Sequence, residues 1–154
     1  MVNENDSVCP AEIGNGERLF GDNDVLSAVV ASLCRASKLI ILSDVDGFYD
    51  ADPHMNPEAR IIETVDAVDA DLRGRAGSAG TARGRGGMKT KLRAAEMAMD
   101  RGIDTVICNG RQSHLIYDAL EGRPAGTLFV GKSDDRRTLF GCRVVCEVDQ
   151  LLTR

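Results

Sequence analysis

Two short apolar runs, LIIL at residues 39–42 and DTVIC at 104–108, are each bounded by polar or glycine signals. Runs of that length between turn formers fit strands buried on both faces, as in a parallel sheet. Around them the apolar spacing changes to three and four. Val25, Leu26, Val29, Val30 and Leu33 form one such stripe, which Asp22, Asn23 or Asp24 can cap, and they predict a helix ending near Ser37. A second helix is predicted from Met88 through Lys91, Leu92, Ala95 and Met99 to Arg101, with Gly102 placed to end it. A third, weaker pattern covers Ser113 to Leu120 and stops at Gly122 and Pro124, ahead of a strand at Thr127 to Val130. The order helix, strand, loop, helix, strand, helix, strand predicts an α/β fold, layered α/β/α, with a largely parallel sheet.

Two stretches interrupt this alternation. Residues 43–60, SDVDGFYDADPHMNPEAR, are dense in Asp, Gly, Pro and Asn and predict a turn-rich excursion leaving the end of a strand. Between Arg73 and Gly87, six glycines accompany small residues and arginines, which predicts a mobile loop. The segment from Ser133 to Arg154 opens with a charged SDDRR turn and offers one more strand at Cys142 to Val148. No internal repeat is present.

Length and charge narrow the picture. The 154 residues suit one domain and exclude a two-domain enzyme. A formal charge of −5 argues against a chain built to coat nucleic acid or an anionic membrane, so any anion site must be local. No apolar run approaches the roughly 18 to 20 residues that span a bilayer, and MVNENDSVCP lacks a signal peptide's apolar stretch. The expectation is a cytoplasmic protein. Cys9, Cys34, Cys108, Cys142 and Cys146 are scattered and odd in number, unlike a disulfide framework or paired metal site, and are expected to be reduced packing residues.

The local anion site has one obvious candidate. Arg73, Arg75, Arg83, Arg85, Lys89, Lys91 and Arg93 fall in a segment without a single acidic residue, and Gly84, Gly86 and Gly87 run straight into the helix that starts at Met88. Glycine lets backbone N–H groups turn toward an anion, and a helix N-terminus adds unpaired donors and partial positive charge. Lys91 lies one turn in, within reach of a phosphate. A disordered glycine-arginine tract for RNA and an ordinary solvated loop are the other readings; no aromatic residue is interleaved to stack on bases. The spacing is neither GxxxxGK[ST] nor a clean GxGxxG.

In open α/β sheets ligands collect at the C-terminal ends of strands. LIIL delivers Ser43 and Asp44, followed by Gly47; DTVIC delivers Asn109 and Gly110, although both pairs are also good turn formers. Asp44, Asp46, Asp50 and Asp52 lack the glycine and glutamate offsets of a calcium loop, so no metal site is assigned. His54 and His114 are isolated and expected to be exposed. NEND at residues 3–6 and GDND at 21–24 can cap helices or bind an amine, and spacing does not decide between these uses.

NENDSV, FGDND, LIILSDVDGFYDADP, GRGGMKTKLRAAEMA, GIDTVICNG and GTLF, in this order, resemble the glutamate 5-kinases of the amino acid kinase family over residues 2 to about 130. The resemblance implies ATP-dependent phosphorylation of the L-glutamate side-chain carboxylate, with Mg2+ carried by the nucleotide. Asp6 and Asn23 match positions that hold glutamate, and Asp24 matches the aspartate that organises the catalytic lysines. Ser43 and Asp44 match the pair that contacts ATP. Arg85, Gly86, Gly87, Met88, Lys89, Thr90 and Lys91 match the stretch around its phosphates, with Lys91 as the catalytic lysine. Arg85 replaces the threonine or serine common in bacterial members and is similar to the synthase-type kinases.

Family members carry about half of the kinase domain ahead of NEND. The expectation is therefore a partial kinase domain over 1–131, missing its N-terminal half, and a 132–154 extension with no recognisable PUA domain. It would work as a homo-oligomer or with a complementing N-terminal half. The competing reading is a noncatalytic nucleotide-binding or regulatory module; a weaker one is a kinase of aspartate, carbamate or a nucleoside monophosphate.

Overall fold

In a computed structural model, whose described residues are 23–53, 55–78, 87–132 and 143–147, the first apolar stripe forms helix α1 (Asn23–Leu33). It stops four residues earlier than its periodicity predicts. The Ala36 amide reaches back to the Ala31 carbonyl (2.9 Å), and Arg35 takes the left-handed conformation at φ 50 that closes such an end. No glycine announces this stop. Strand β1 (Lys38–Ser43) follows, wider than LIIL by one residue at each end.

Beyond Ser43, the described residues of the excursion up to Arg60 hold no helix or named strand. It is braced instead by a bridge between Tyr49 and Ile61, and the Arg60 amide donates to Asp50 Oδ1 (2.8 Å). A two-residue strand, β2 (Thr64–Val65), then appears where no apolar run had marked one.

Helix α2 (Ala70–Ser78) corrects the expectation of a loop beginning at Arg73. Asp69 supplies the cap, its Oδ1 accepting the Leu72 amide (2.8 Å), and Asp71 pairs with Arg75 one turn on (2.6 Å). Leu72 and Ala76 pack on the core. Glycine content hid these signals. Residues 79–86, with Arg83, Arg85 and Gly86, lie outside the described residues, as do Asp6, Asp22, His54 and both ends of the Cys142 to Val148 prediction.

Helix α3 (Met88–Met99) ends two residues before the predicted Arg101. Gly102 does terminate it, at φ 74, with the Ile103 amide on the Ala98 carbonyl (3.0 Å). Strand β3 (Asp104–Asn109), helix α4 (His114–Glu121, closed by left-handed Gly122) and strand β4 (Thr127–Phe129) follow within a residue or so of their predicted bounds. Strand β5 (Arg143–Glu147) lies inside the Cys142 to Val148 prediction.

The five strands form one sheet in the order β2-β4-β3-β1-β5. β1 runs parallel to β3, with Lys38 opposite Asp104 and Ser43 opposite Asn109, and parallel to β5; β2 runs parallel to β4. Only β3 and β4 pair antiparallel. The pairing is thus largely parallel with one antiparallel junction, across which β4 and β2 run opposite to the other three strands; the chain enters β4 through Gly126 at φ 122.

Alternation sorts the two faces. Leu39, Ile41 and Ile107 point to a core shared with Ala28 and Ala31 of α1, Ala76 of α2, and Leu92, Ala95 and Met99 of α3. Ile40, Leu42, Val106 and Cys108 point to the opposite core under Ala119 of α4. The result is the expected α/β/α layering. Cys34 corrects the view of the cysteines as packing residues: it is exposed at the end of α1, whereas Cys108 is buried, and both are free thiols. His114 is exposed, as expected. Among the described residues no helix is long and apolar enough to cross a membrane.

Candidate functional site

Short reversals at 34–37 and 100–103 fold α1 back along β1 and α3 back along β3. Both helix N-termini therefore lie at the end of the sheet where the parallel strands β1 and β3 finish. That is where an open α/β sheet collects ligands.

The two N-termini meet through side chains. Asp24, in the first turn of α1, is wholly buried, and Lys91, one turn into α3, is 3% exposed. Lys91 Nζ lies 3.1 Å from Asp24 Oδ2. The same carboxylate oxygen accepts the Thr90 hydroxyl at 3.0 Å, and that hydroxyl also stands 2.8 Å from the Gly87 carbonyl. A buried lysine needs such partners, because an uncompensated ion there costs several kcal/mol, on the order of 3–5 when one member of a pair is removed.

The first turn of α3 is built against ordinary helix electrostatics. Gly87 caps it in an extended conformation (φ −82, ψ −177) with no side-chain cap, and no acidic residue occupies the turn. Lys89 and Lys91 instead place two cations at the positive end of the dipole, where anions are the favoured neighbours. Lys89 is exposed and Met88 half-buried. The positive tract is narrower than its composition suggested: Arg73 is paired with Glu96, and Arg75 bonds Asp71 and the Asp50 carbonyl (3.0 Å).

A second polar group sits at the strand ends. Ser43 is buried at the end of β1 and its hydroxyl donates to Asp44 Oδ1 (3.2 Å), while Asp44 is exposed. The Gly110 amide donates to the Ser43 carbonyl (2.8 Å), and Asn109 Nδ2 donates to Asp46 Oδ1 (2.8 Å). Tyr49 OH leans on the other Asp46 oxygen (3.4 Å), and partial burial, then the Asp46 charge, holds its pKa above the usual phenol value. These bonds lace the ends of β1 and β3 together. Asp46 and Asp50 serve as braces, and among the described residues no three His, Cys, Asp or Glu gather to hold a metal.

The structure thus brings together Asp24, Thr90 and Lys91 at one locus and Ser43 and Asp44 at another on the same sheet end. Asn23 opens α1 beside Asp24. Asp6, Arg85 and Gly86 are not among the described residues. Sequence reasoning placed Thr90 with the nucleotide phosphates and did not foresee its bond to Asp24, nor the bond of Asp46 to Asn109. Both link residues more than 60 positions apart, and no local pattern signals them.

Buried charge pairing at converging helix N-termini, above the ends of a mostly parallel sheet, is an arrangement in which α/β folds can hold an anion. The sequence model of the amino acid kinase family matches residues 2–109, and the chain belongs to that family. It is 46% identical over 135 residues to the glutamate 5-kinase of Clostridium perfringens, covering 88% of this chain and 50% of that protein. For the glutamate 5-kinase of Clostridium acetobutylicum the identity is 48% over 133 residues, covering 86% and 48%. With that of Vibrio vulnificus it is 48% over 130 residues, covering 84% and 33%. The chain therefore spans half or less of the length of these curated relatives.

Among solved structures, an isopentenyl phosphate kinase in a substrate complex aligns with a TM-score of 0.50 at 22% identity, covering 69% of this chain and 39% of that one. Carbamate kinase from Giardia lamblia, bound to AMP-PNP, aligns with a TM-score of 0.50 at 23% identity, covering 71% and 32%. At such identities the likeness concerns the fold.

Proposed function

We propose that the chain supplies the nucleotide-binding and phosphoryl-transfer part of a glutamate 5-kinase. The reaction is ATP-dependent phosphorylation of the L-glutamate side-chain carboxylate to glutamyl 5-phosphate, the opening step of proline synthesis. The observation that carries this reading is the buried Asp24–Lys91 pair at the uncapped start of α3, in a chain 46% identical to a protein of that name.

In this reading a glutamate carboxylate oxygen attacks the γ-phosphorus as the bond to the β,γ-bridging oxygen breaks, and ADP leaves with that electron pair. Chemistry of this kind depends on positioning and charge stabilisation. Lys91 directs one ammonium, held in place by Asp24, at the transferring phosphoryl. The Gly87, Met88 and Lys89 amides and the Lys89 side chain hold the phosphates. Ser43 and Asp44 lie toward the rest of the nucleotide, and Asp6 and Asn23 toward glutamate. In this reading the magnesium arrives on the triphosphate.

Residues 1–131 form the kinase part of this assignment and 132–154 the extension, whose β5 joins the edge of the same sheet at β1. The working enzyme is a homo-oligomer or is completed by the half of the kinase fold that the relatives carry and this chain does not match. A cytoplasmic location belongs to the same reading.

The test is a split of affinities by calorimetry. Asp44→Ala is expected to weaken AMP-PNP binding about tenfold, ~1.4 kcal/mol, and to leave glutamate affinity unchanged. Asp6→Ala is expected to do the reverse. Equal effects of both changes on both ligands contradict the assignment and indicate damage to the fold.

A further inference from the structure

The GTLF segment at residues 126–129 takes no part in the site as described, yet it grips the turn that follows Asp44. Thr127 is wholly buried at the start of β4. Its Oγ1 accepts the Phe48 amide at 2.7 Å and donates to the Phe48 carbonyl at 3.4 Å, so one hydroxyl serves both backbone groups of a residue 79 positions away.

Glycines on both sides allow the approach. A Cβ on Gly47 would stand 2.8 Å from Thr127 Oγ1, and one on Gly126 would stand 2.7 Å from the Asp46 carbonyl and 2.2 Å from that of Ile107. The rings of Phe48 and Phe129 then close edge to face, with centroids 6.4 Å apart. The 46–48 turn thus lies close against the Gly126–Phe129 segment, and Asp46 is left facing Asn109 at the end of β3.

We infer that Thr127 is a positioning residue for the nucleotide side of the site: its hydroxyl locks the Asp46–Phe48 turn to β4 and so fixes Asp44 and the Asp46–Asn109 brace at the ends of β1 and β3. This rests on the reading of Asp44 as a nucleotide contact. A loop that leaves a strand end between glycines is free to swing, and an amide buried with Phe48 demands an acceptor. Thr127 meets both needs with one atom, without itself reaching the strand end.

The 154-residue chain is compared with Thr127→Val, which keeps the shape and deletes the hydroxyl, with Thr127→Ser, which keeps the hydroxyl, and with Phe129→Leu, which removes only the ring contact. The readouts are the dissociation constant for Mg2+·AMP-PNP and the Asn109 side-chain amide resonance. The expected result is affinity weakened about tenfold or more, and a displaced Asn109 resonance, in Thr127→Val alone. Thr127→Ser and Phe129→Leu are expected within twofold of wild type even where their melting temperatures fall. Equal losses in all three, or none in Thr127→Val, overturn the proposal.

Hydrogen exchange of the wild-type chain covers the case in which Thr127→Val does not fold. The Phe48 amide must then be protected as strongly as those of β3, and loop-like exchange overturns the proposal. If the wild-type chain binds no nucleotide while the Asn109 resonance still moves in Thr127→Val alone, the kinase reading fails and the latch stands.

Discussion

Lys91 holds its charge where few lysines are found, beneath α1 and against a carboxylate that is itself out of contact with solvent. Removing one partner strands the other, so Lys91→Met is expected to destabilise the chain by roughly 3–5 kcal/mol as well as to abolish transfer. The Asp24→Asn, Lys91→Met double variant is expected to regain a large part of that loss, because the two changes share one interaction. Urea midpoints of Lys91→Met, of Asp24→Asn and of the double variant measure this, and additive losses contradict the pairing.

The cysteines give a second residue-scale expectation. Burial pushes the Cys108 thiol up to about 11, above its value near 8.5 in an unfolded chain. The folded chain then keeps a proton that the unfolded chain releases, so this contribution to stability is intact below about pH 8.5 and is lost as pH climbs toward 11. Peptide-resolved alkylation at pH 8 is expected to label exposed Cys34 and spare Cys108 until denaturant is added. Rapid labelling of Cys108 in the native chain contradicts the packing of β3 against α4.

At this scale the placement of Asp24 and Lys91 in the first turns of helices and of Ser43 and Asp44 at a strand end was legible, because the apolar pattern locates those ends. Thr90 on Asp24, Asn109 on Asp46 and Thr127 on Phe48 were not, since each pair forms only when distant elements pack.

Among the elements, α2 shows how composition misleads. Gly74, Gly77 and four arginines within and beyond it read as a loop, while the helix is held by the Asp69 cap, the Asp71–Arg75 pair, the Arg73–Glu96 pair to α3 and the burial of Ala76. Gly74 weakens it without a packing reason, for nothing lies within 4 Å of where its Cβ would stand. Gly74→Ala is expected to stabilise the chain by about 0.5–1 kcal/mol, read as a higher melting temperature. A loss of stability there contradicts the helix.

The helix ends divide in the same way. Gly102 and Gly122 mark the ends of α3 and α4 in the sequence, whereas α1 closes through Arg35, a residue whose side chain does not advertise a left-handed conformation. Two-residue β2 is too short to leave a period at all.

For the molecule as a whole, alternation within LIIL and DTVIC carries the architecture: odd and even positions of β1 and β3 face different cores, and three helices gather on one side with α4 on the other. The reversed direction of β4, shared by β2 beside it, was beyond reach, because a crossover helix ordinarily implies a parallel return. The same architecture brings both helix N-termini and both strand ends to one edge, where phosphoryl transfer is proposed.

That proposal meets its most direct test in glutamate-dependent ADP formation, measured with the chain alone, with the complementing half of the Clostridium perfringens relative supplied in trans, and with Lys91→Met in the same mixture. The account predicts little turnover by the chain alone, turnover that requires both ATP and glutamate once the half is supplied, and a fall of at least 10²-fold on substitution of Lys91. Turnover within tenfold of the parent in Lys91→Met contradicts it, and nucleotide binding that no added half converts to turnover favours a noncatalytic nucleotide-binding module instead.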